Sequence, residues 1–365
     1  MSHLSGLLLI DCPASALNNA GKAEGVNTDN AVAVKAIKAR DGIYPYVSAQ
    51  AFRYWWRETL KNTPGWTSSP IFREGKIAYA DANPIAYMED DLFGYMRAPS
   101  KKEDAKKQRE ESGLLAEATS LEEGVTLTRQ SPLKVSTLVS IAPLFGLTND
   151  FGVMSRHEGD PVPFEHEFYR TTLQGLFSVD LTMLGRFYHI NRTGFKHLDE
   201  VRVALAKQKK LPEYDHGKAY QLPLEERYNR LKLLLEGLAR ICGGAKQALH
   251  YTDVSPRFII MAVAKGGNHL FATCVGANSK GLPVINKDSL KETARVFKEE
   301  ILSGIYVGLM QGYLDAQRAD LEAALKEISS QHDDYGRRKT FLGHPREAIN
   351  EFLQELTGER EKWLS

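Results

Sequence analysis

The stretch VKAIKARDGIYPYVSAQAFRYWWRETL, residues 34–60, joins a turn to a helix with an apolar and a charged face. Asp41-Gly42 predicts the turn, and Ser48 suits a helix N-cap because its hydroxyl can accept an N–H of the first helical turn. Apolar residues then recur at i, i+3, i+4, i+7 and i+8, which places them on one helix face. They are Phe52, Trp55, Trp56, Thr59 and Leu60. We therefore predict a helix whose two tryptophans anchor it in the core.

Polar side chains with helical spacing lie to one side of this apolar face. They are Gln50, Arg53 and Arg57, and Lys35 and Lys38 add positive charge before the helix. Free N–H groups and the helix dipole favour anions at a helix N-terminus, and a guanidinium can bind a phosphate with two hydrogen bonds. The pattern predicts a phosphate-binding surface, with a plain solvated helix face as the alternative.

Length and composition are those of an ordinary globular protein. The 365 residues exceed one average domain, so the chain could form one elaborated domain or two. The net charge is +1. Because the whole chain carries so little charge, any binding to nucleic acid must come from a local patch.

Cysteine usage and hydropathy indicate which cellular compartment the protein occupies. Cys12, Cys242 and Cys274 lie far apart and form no paired motif, which argues against a zinc ribbon or a disulfide framework and indicates a reducing environment. No apolar run approaches the ~20 residues that span a bilayer. The run Leu7–Ile10 is too short for a signal peptide. We predict a cytoplasmic protein with no membrane association.

Short apolar runs predict the strands of the core. Strand candidates are Leu4–Ile10, Leu133–Ile141 and Leu176–Leu184, the last of which alternates cleanly in hydrophobicity. Two further runs, Arg257–Lys265 and His269–Val275, flank Gly266-Gly267-Asn268 and predict a hairpin with a glycine-rich connection.

Helices are predicted in the second half of the chain. Leu224–Ile241 carries leucines on one face and precedes Gly243-Gly244, which are typical C-cap glycines. Ser289 and Glu292 form a capping-box pattern before the next helix, and the remainder of the C-terminal part is predicted to be helical, at 313–328 and 345–356. Strands and helices in this order indicate an α+β fold, a small sheet covered by helices.

Long connecting segments are where binding residues are expected. Residues 13–30 form a polar loop in which Asn18, Asn19 and Lys22 could bind a nucleic-acid backbone, with a plain turn as the alternative.

Two other segments interrupt the predicted core. Residues 76–130, which include the charged run 101–111, are predicted to be an insertion that leaves a compact domain and returns to it. Residues 146–173 predict two arms with a tip between them, a projecting hairpin, and their aromatic content argues against disorder.

Catalytic motifs are absent from the sequence: there is no P-loop, G-x-S-x-G, H-E-x-x-H or dinucleotide fingerprint. We expect no cofactor. The densest titratable cluster matches no standard metal site and is predicted to be solvated. Its members are His157, Glu158, Asp160, Glu165, His166 and Glu167. Asp29 and Asp41 flank the basic stretch and could support metal-assisted cleavage, although Asp41-Gly42 is more simply a turn.

Several of these features together resemble a known family. They are the short first strand, the Asn/Gly/Lys loop, the run DGIYPYVSAQAFRYWWRETL at 41–60 and the run AKGGNH at 264–269. The combination is similar to the DevR-type CRISPR-associated autoregulator family, the repeated backbone subunit of type I Cascade surveillance complexes, with I-B as the expected subtype.

The resemblance implies an RRM-like (ferredoxin-like) palm with two projections. The palm would comprise residues 1–75 and 131–285, and 76–130 would form a helical finger insertion. The thumb hairpin would lie at 148–172, with 186–215 as the alternative placement. A C-terminal helical part, 286–365, would pack on the palm.

The resemblance also implies a function in antiviral defence. Several copies would line up along one CRISPR RNA with other Cascade subunits, and each copy would hold the guide backbone while its thumb interrupts the bases. The guide would then pair with target DNA, so that base pairing recognises the sequence and the protein recognises backbone and shape.

Site residues follow by position in this sequence. The resemblance places Ser48, Gln50 and Arg53 beside the guide backbone, and Asn19 and Lys22 in the first loop. Gly266, Gly267 and Asn268 would lie in the glycine-rich loop. Phe151 and Met154 would be thumb residues that insert between bases. Lys35, Lys38 and Arg57 from the charge pattern, and Arg156 in the predicted hairpin, complete the set of predicted RNA-binding residues.

Two alternatives to this non-catalytic role remain open at the level of sequence. One is a metal-dependent ribonuclease that uses Asp29 or Asp41. The other is a stand-alone RNA-binding regulator, which would be a discrete monomer or dimer instead of an RNA-dependent oligomer.

Overall fold

The structure is a computed structural model. It describes residues 1–22, 28–74, 77–98, 119, 121–122, 125–154, 158–190, 196–330, 332–333, 336–337 and 339–365. The charged run 101–111, His157 and the predicted site residue Arg156 lie outside the described residues.

Eight α-helices and 23 strands form within these ranges. The helices are α1 (Ala49–Lys61), α2 (Met88–Phe93), α3 (Glu200–Gln208), α4 (Leu224–Leu238), α5 (Gln247–His250), α6 (Lys287–Val296), α7 (Arg318–Ser330) and α8 (Pro345–Trp363). The strands are β1 (Ser2–Ser15), β2 (Asn19–Lys22), β3 (Ala31–Val34), β4 (Ala36–Ala39), β5 (Gly42–Val47), β6 (Ile71–Glu74), β7 (Ile77–Ala80), β8 (Tyr95–Arg97), β9 (Leu127–Arg129), β10 (Leu133–Val135), β11 (Leu138–Ser140), β12 (Thr148–Met154), β13 (Val162–Asp180), β14 (Arg186–Tyr188), β15 (Glu213–Tyr214), β16 (Ala219–Gln221), β17 (Phe258–Lys265), β18 (Val275–Ala277), β19 (Pro283–Ile285), β20 (Ile305–Leu309), β21 (His332–Asp333), β22 (Gly336–Arg337) and β23 (Thr340–Gly343).

A 12-stranded sheet lies at the centre of the α+β fold, with the order β23-β20-β17-β1-β13-β11-β5-β4 and four further strands branching from this path. Strand β1 pairs antiparallel with both β13 and β17. Its side chains alternate between two cores, so that Leu8 and Ile10 join one cluster while Leu7 and Leu9 join the other. The sheet is therefore covered by helices on both faces.

The two cores use different helices. The first contains the apolar faces of α1, α4 and α8, including Trp56, Leu234 and Phe352. The second contains residues of α6 and α7, including Leu290 and Leu325. Within the described residues, no helix is long and apolar enough to cross a membrane.

Helix α1 confirms the prediction made from residues 34–60. The Ser48 hydroxyl caps it by accepting the Ala51 N–H at 3.3 Å. Its buried residues are the five predicted, Phe52, Trp55, Trp56, Thr59 and Leu60. The Trp56 indole N–H donates to the Leu234 carbonyl at 2.9 Å, which fixes α1 against α4.

Except for His269–Val275, the predicted strands were right in place, although several were wrong in extent. Strand β1 runs to Ser15 and β2 begins at Asn19, so most of the described part of the predicted polar loop 13–30 is strand. The run 133–141 forms two short strands, β10 and β11, both paired with β13.

The hairpin predicted around Gly266-Gly267-Asn268 was wrong. Strand β17 ends at Lys265 as expected, but the next strand, β18, pairs with β19. Both edges of β17 are already occupied by β1 and β20. The residues after Asn268 instead bury Phe271 and Cys274 in the second core, which prevents them from extending as a strand beside β17.

Two predicted helix caps were also wrong. Helix α4 ends at Leu238, and Gly243 serves packing instead, since a Cβ there would lie 2.4 Å from Trp55 Cγ. Helix α6 is capped by the Asn286 side chain, which accepts the Ser289 N–H at 3.0 Å, so Ser289 lies inside the helix.

The C-terminal part is not purely helical. Strand β20 lies in the central sheet between β17 and β23. Its run IYVGL, Ile305–Leu309, is buried at every position, which is the pattern of a strand covered on both faces. Residues after 285 are therefore part of the sheet as well as its helical cover.

A buried carboxylate joins the insertion to the sheet and to α4. Asp91 of α2 forms ion pairs with Arg129 of β9 and Arg230 of α4. It also accepts the Gly185 N–H at 3.1 Å. All three ionised side chains are almost fully buried. The described part of 76–130 is thus docked by charge pairs as well as by apolar contacts.

Acid should destabilise the fold partly through His197. Its Nδ1 faces two donors, the Tyr188 N–H at 3.1 Å and Arg129 Nη1 at 3.2 Å, so the ring must be neutral. Burial and the nearby Arg129 charge lower its pKa to about 2. The unfolded chain therefore binds a proton below about pH 6.5 that the folded chain does not, and stability falls as pH falls. We expect a loss of about 2 kcal/mol between pH 7 and pH 5 from this residue.

Urea unfolding at several pH values checks this expectation. The variant His197→Asn should have a lower stability at pH 7 and a shallower dependence on pH than the parent protein. An equal pH dependence of the variant and the parent would show that His197 has the same pKa in the folded and the unfolded protein.

Candidate nucleic-acid interface

Asn18 is the point at which several predicted site segments meet. Its carbonyl accepts the Lys35 N–H at 2.8 Å, and its side-chain oxygen accepts the Ser48 N–H at 3.0 Å. Strand β2 starts at the next residue, Asn19. The Asn18 side chain thus holds the start of α1 beside β2 and the residue before β4, and its contact with a nucleic-acid backbone stays a prediction. Its partner is 30 residues away, which no local pattern reveals.

Exposed polar side chains, two of them lysines, lie on the segments that meet at Asn18. Lys38 and Gln50 are exposed, and Lys35 is half-buried. Lys22 forms an exposed ion pair with Asp29 at 2.8 Å, which holds the pKa of that carboxyl below its ordinary value. An exposed pair of this kind contributes little stability and can exchange partners easily. Lys22, Lys38 and Gln50 are therefore accessible to an external anion.

Arg53 is placed differently from its neighbours on α1. Its guanidinium donates to the carbonyls of Leu133 at 2.8 Å and Phe93 at 2.6 Å, and to the Ser131 hydroxyl at 3.3 Å. Burial, and then the nearby Arg57, lower its pKa to about 10. Arg53 and Arg57 both lie over the Phe93 ring, at 5.1 and 6.0 Å from its centroid. Most donors of Arg53 are thus used inside the protein.

We expect Arg53→Ala to lower stability by about 1.5–3 kcal/mol, the usual contribution of hydrogen bonds to a charged group. Gln50→Ala is the matched control, because Gln50 is exposed on the same helix and its loss should cost within roughly 0.5 kcal/mol. Urea unfolding of both variants measures this. Equal stability of the two would show that the internal hydrogen bonds of Arg53 do not matter for folding.

The predicted arms at 146–173 are two antiparallel strands. Strand β12 pairs with the first part of β13, from Thr148 opposite Phe168 to Met154 opposite Val162. We call this pair the β12–β13 hairpin. Strand β3 adds to its other side, with Ala31 opposite Glu165, and β2 pairs with β3. The hairpin and the first-loop strand carrying Asn19 and Lys22 therefore belong to one layer.

Side-chain contacts stiffen this hairpin. Glu167 accepts the Val34 N–H at 2.9 Å and so ties β13 to the end of β3. The Asn149 amide donates to Glu165 at 2.8 Å across the hairpin. The Phe164 ring lies over Gly152, where a Cβ would meet it at 2.5 Å. The sequence did not single out Gly152, although a glycine inside a strand is a known signal for such a close approach.

Phe151 and Met154 lie on opposite faces of the hairpin. Both are exposed, at 59% and 46%, as is Val153. Successive side chains alternate across a strand, so residues three apart point to opposite sides. The register with β13 and β3 places Met154 on the same face as Lys22 and places Phe151 on the other. One wedge position cannot use both side chains.

The glycine-rich segment is far from these residues. Gly266 donates its N–H to the Met1 carbonyl at 3.1 Å, next to the start of β1. The β2 residues Asn19 and Lys22 follow the other end of the 14-residue β1. At ~3.3 Å per residue the two ends are about 40 Å apart. Gly266, Gly267 and Asn268 are exposed, so only an extended partner could contact both regions.

The carboxylates considered for metal-assisted cleavage have local partners. Asp29 pairs with Lys22, and Asp41 accepts the Tyr44 hydroxyl at 2.6 Å. Throughout the part of the chain that the structure describes, no group of three or more His, Cys, Asp or Glu side chains is placed to hold a metal ion.

Comparison with known proteins gives a family and a fold. The profile of the family described as "CRISPR-associated negative auto-regulator DevR/Csa2" matches residues 10–280. No curated protein sequence is significantly similar to the chain. A chain of a structure described as "CRISPR RNA-guided surveillance complex, pre-nicking" is 10% identical with a TM-score of 0.50, over 97% of this chain and 99% of that one. A chain of a "CRISPR RNA-guided surveillance complex" is also 10% identical, with a TM-score of 0.48 over the same shares. The likeness to the first of these structures shows a common fold.

Proposed function

Because the chain belongs to the CRISPR-associated DevR/Csa2 family, we propose that it is the CRISPR RNA-binding backbone subunit of a type I Cascade surveillance complex. The family match over residues 10–280 is the observation that carries this proposal. Repeated copies bind along one guide RNA, together with other Cascade subunits, and hold the guide so that it pairs with target DNA. Pairing then supplies the sequence specificity, and the protein supplies backbone contacts.

The central sheet would be the RRM-like palm. Residues 1–75 and 131–285 form most of this sheet and its cover, 76–130 would be the finger insertion, and 286–365 would complete the palm. The β12–β13 hairpin supports placing the thumb at 148–172. The described part of the alternative segment, 186–215, contains α3 and short strands instead of a hairpin.

We place the guide backbone along the start of α1 and the β2 strand beside it. Lys22, Lys38 and Gln50 are the exposed polar groups there, and Ser48 opens the helix whose N-terminus favours a phosphate. Gly266, Gly267 and Asn268 would contact a second stretch of the same RNA, beyond the opposite end of β1. This spacing suits an extended polymer and not a small ligand.

The proposed role is non-catalytic. Its support is that Asp29 and Asp41, the carboxylates nearest the basic stretch, are engaged by Lys22 and Tyr44. Incubation with guide RNA, target RNA and Mg²⁺ tests it. Cleavage that disappears in Asp29→Ala or Asp41→Ala would assign a nuclease instead.

Sequencing the RNA that co-purifies with the expressed protein tests the main proposal. We expect CRISPR RNA to be enriched, and mass photometry on guide RNA to show oligomers whose size grows with guide length. A discrete monomer or dimer at saturating guide RNA would favour a stand-alone regulator, the second candidate, which the word auto-regulator in the family description suggests.

Separate substitutions on the two faces of the hairpin test the wedge. An apolar side chain that separates two bases costs a few kcal/mol per step, which other contacts must offset. We expect either Phe151→Ala or Met154→Ala, but not both, to abolish the periodic unpaired positions in a nuclease footprint of the guide–target duplex. Leu282→Ala, another exposed apolar residue, is the control. An unchanged footprint in both hairpin variants would exclude the wedge at these residues.

A further inference from the structure

A cavity with two buried arginines is lined by residues other than those proposed to contact the guide. It has a volume of about 470 Å³, within the range of small-molecule sites. It is lined by residues of β14 and β16, by the start of α4, by Glu361 near the C-terminal end of α8 and by Ser365 after that helix. Among its lining residues, Arg186, Arg227 and Glu361 have charged side chains, and Ser365 also lines it.

Arg186 is fixed in this wall by neutral partners. Only 5% of the residue is exposed. Its Nε donates to the Gln221 side chain at 3.2 Å and its Nη1 to the Thr182 carbonyl at 3.1 Å. The guanidinium also lies over the Tyr214 ring, at 3.9 Å from the centroid. Nη2 has no hydrogen-bond acceptor among the described residues.

Arg227 is held in the same way. It is 3% exposed, and it donates from Nε to the Leu184 carbonyl at 2.6 Å and from Nη2 to the Leu181 carbonyl at 3.3 Å. Burial, and then the charge of Arg186, lower its pKa to about 10, although the more distant Asp91 acts in the opposite direction. Across the described ranges, neither arginine has a carboxylate within ion-pair distance.

This arrangement contrasts with the other buried arginines of the fold. Arg129 and Arg230 share Asp91, and Arg202 pairs with Asp199. Burying a cation without a counter-ion is costly, and buried charges are normally paired. Asp180 and Asp91 act on Arg186 and Arg227 only from beyond ion-pair distance. Two guanidiniums in one cavity wall without a contacting carboxylate therefore indicate that an anion from outside the chain binds there.

The start of α4 contributes to the same cavity. Pro223 and Leu224, at the N-terminus of this 15-residue helix, line it. The free N–H groups and dipole of a helix N-terminus favour an anion there. The acidic residues of the first turn are already paired, Glu225 with Arg360 and Glu226 with Arg230. Glu361 is exposed at the rim and opposes an anion, and so does the backbone carboxylate of Ser365, with which the given sequence ends.

We propose that this cavity is a binding site for a phosphate group, held by Arg186, Arg227 and the N-terminus of α4. Guanidinium groups match the planar, two-oxygen geometry of phosphate binding. The phosphate belongs either to a small free anion or to a nucleic-acid strand. The site does not depend on the proposed guide interface at α1.

Titration with inorganic phosphate against chloride at equal ionic strength and pH, followed by calorimetry, tests the site. We expect saturable binding of phosphate and no saturable binding of chloride. Arg186→Gln should raise the dissociation constant about tenfold or more through loss of a charge-assisted hydrogen bond. Glu361→Gln removes an opposing charge at the exposed rim and should lower the dissociation constant. Lys326→Gln, on an exposed surface of α7, is the charge-matched control and should leave it unchanged.

Each outcome decides the proposal. The proposal is overturned if phosphate binds no more tightly than chloride. It is also overturned if phosphate binds with the same affinity to the parent, Arg186→Gln and Glu361→Gln proteins. If Arg186→Gln does not fold, unchanged affinity in Glu361→Gln alone overturns it. Competition by a short RNA with a 5′-phosphate, but not by its 5′-hydroxyl form, would assign a terminal nucleic-acid phosphate. Competition by both RNAs would assign an internal nucleic-acid phosphate. Competition by neither RNA would assign a free anion. Each of these three results upholds the site.

Discussion

Asp91→Ala should lower the free energy of unfolding by about 3–5 kcal/mol, the usual cost of removing one partner of a buried ion pair. Asp91 is fully buried and is shared by Arg129 and Arg230. Its removal leaves the buried Arg129 without a counter-charge and Arg230 with Glu226 alone, and the Gly185 N–H also loses its acceptor. A buried charge left unpaired costs far more than the intact pair contributes.

Urea unfolding of the variant measures this loss. Asp91→Asn keeps an acceptor for Gly185 but not the charge, so its stability should lie between those of the parent and Asp91→Ala. Asp320→Ala is the matched control, because it breaks an exposed ion pair with Lys287 and should change stability much less. If Asp91→Ala were as stable as Asp320→Ala, the buried network would contribute nothing to docking the insertion.

Trp56→Ala should lower stability by a similar amount, about 3–5 kcal/mol. The indole is fully buried, packs edge-on against Phe177 of the sheet at 6.2 Å, and donates to Leu234 of α4. Its loss leaves a large cavity between α1, α4 and the sheet and an unpaired Leu234 carbonyl. Because α1 carries Gln50 and follows Ser48, the substitution should also disorder the proposed guide interface.

Tyr54→Ala is the control for this prediction. Tyr54 lies two residues away on the same helix but is 52% exposed, so its loss should cost little stability. Urea unfolding of both variants, followed by RNA binding below the transition, separates folding from recognition. Equal stability of the two would mean that α1 is not anchored through Trp56.

The sequence predicted α1 well because the information is local. A cap at Ser48 and five apolar residues at helical spacing determine where the helix begins and which face it buries. The same holds for α4, whose Leu231, Leu234, Leu235 and Leu238 are buried as their spacing indicates. The hydrophobic alternation of 176–184 likewise marked the last part of β13, where Phe177 and Val179 are buried.

Predictions that needed a distant partner were less accurate. The hairpin at Gly266 failed because β1, from the other end of the chain, already occupies the edge of β17. The spacing on α1 did not predict that Arg53 donates to carbonyls 40 and 80 residues away, those of Phe93 and Leu133. The cavity between Arg186 and Arg227 has no local sequence signature at all.

The amino-acid sequence by itself thus determined the α+β class, the apolar face of α1 and the membership of the family, because periodicity and motif are properties of neighbouring residues. Only the tertiary structure decided which polar groups remain available to a partner. Arg53 donates to internal carbonyls, and Phe151 and Met154 lie on opposite faces of one hairpin. Gly266 and Lys22 follow opposite ends of the 14-residue β1. These outcomes depend on which strands pair across the sheet, and pairing is chosen by the packing of the whole chain around its two cores.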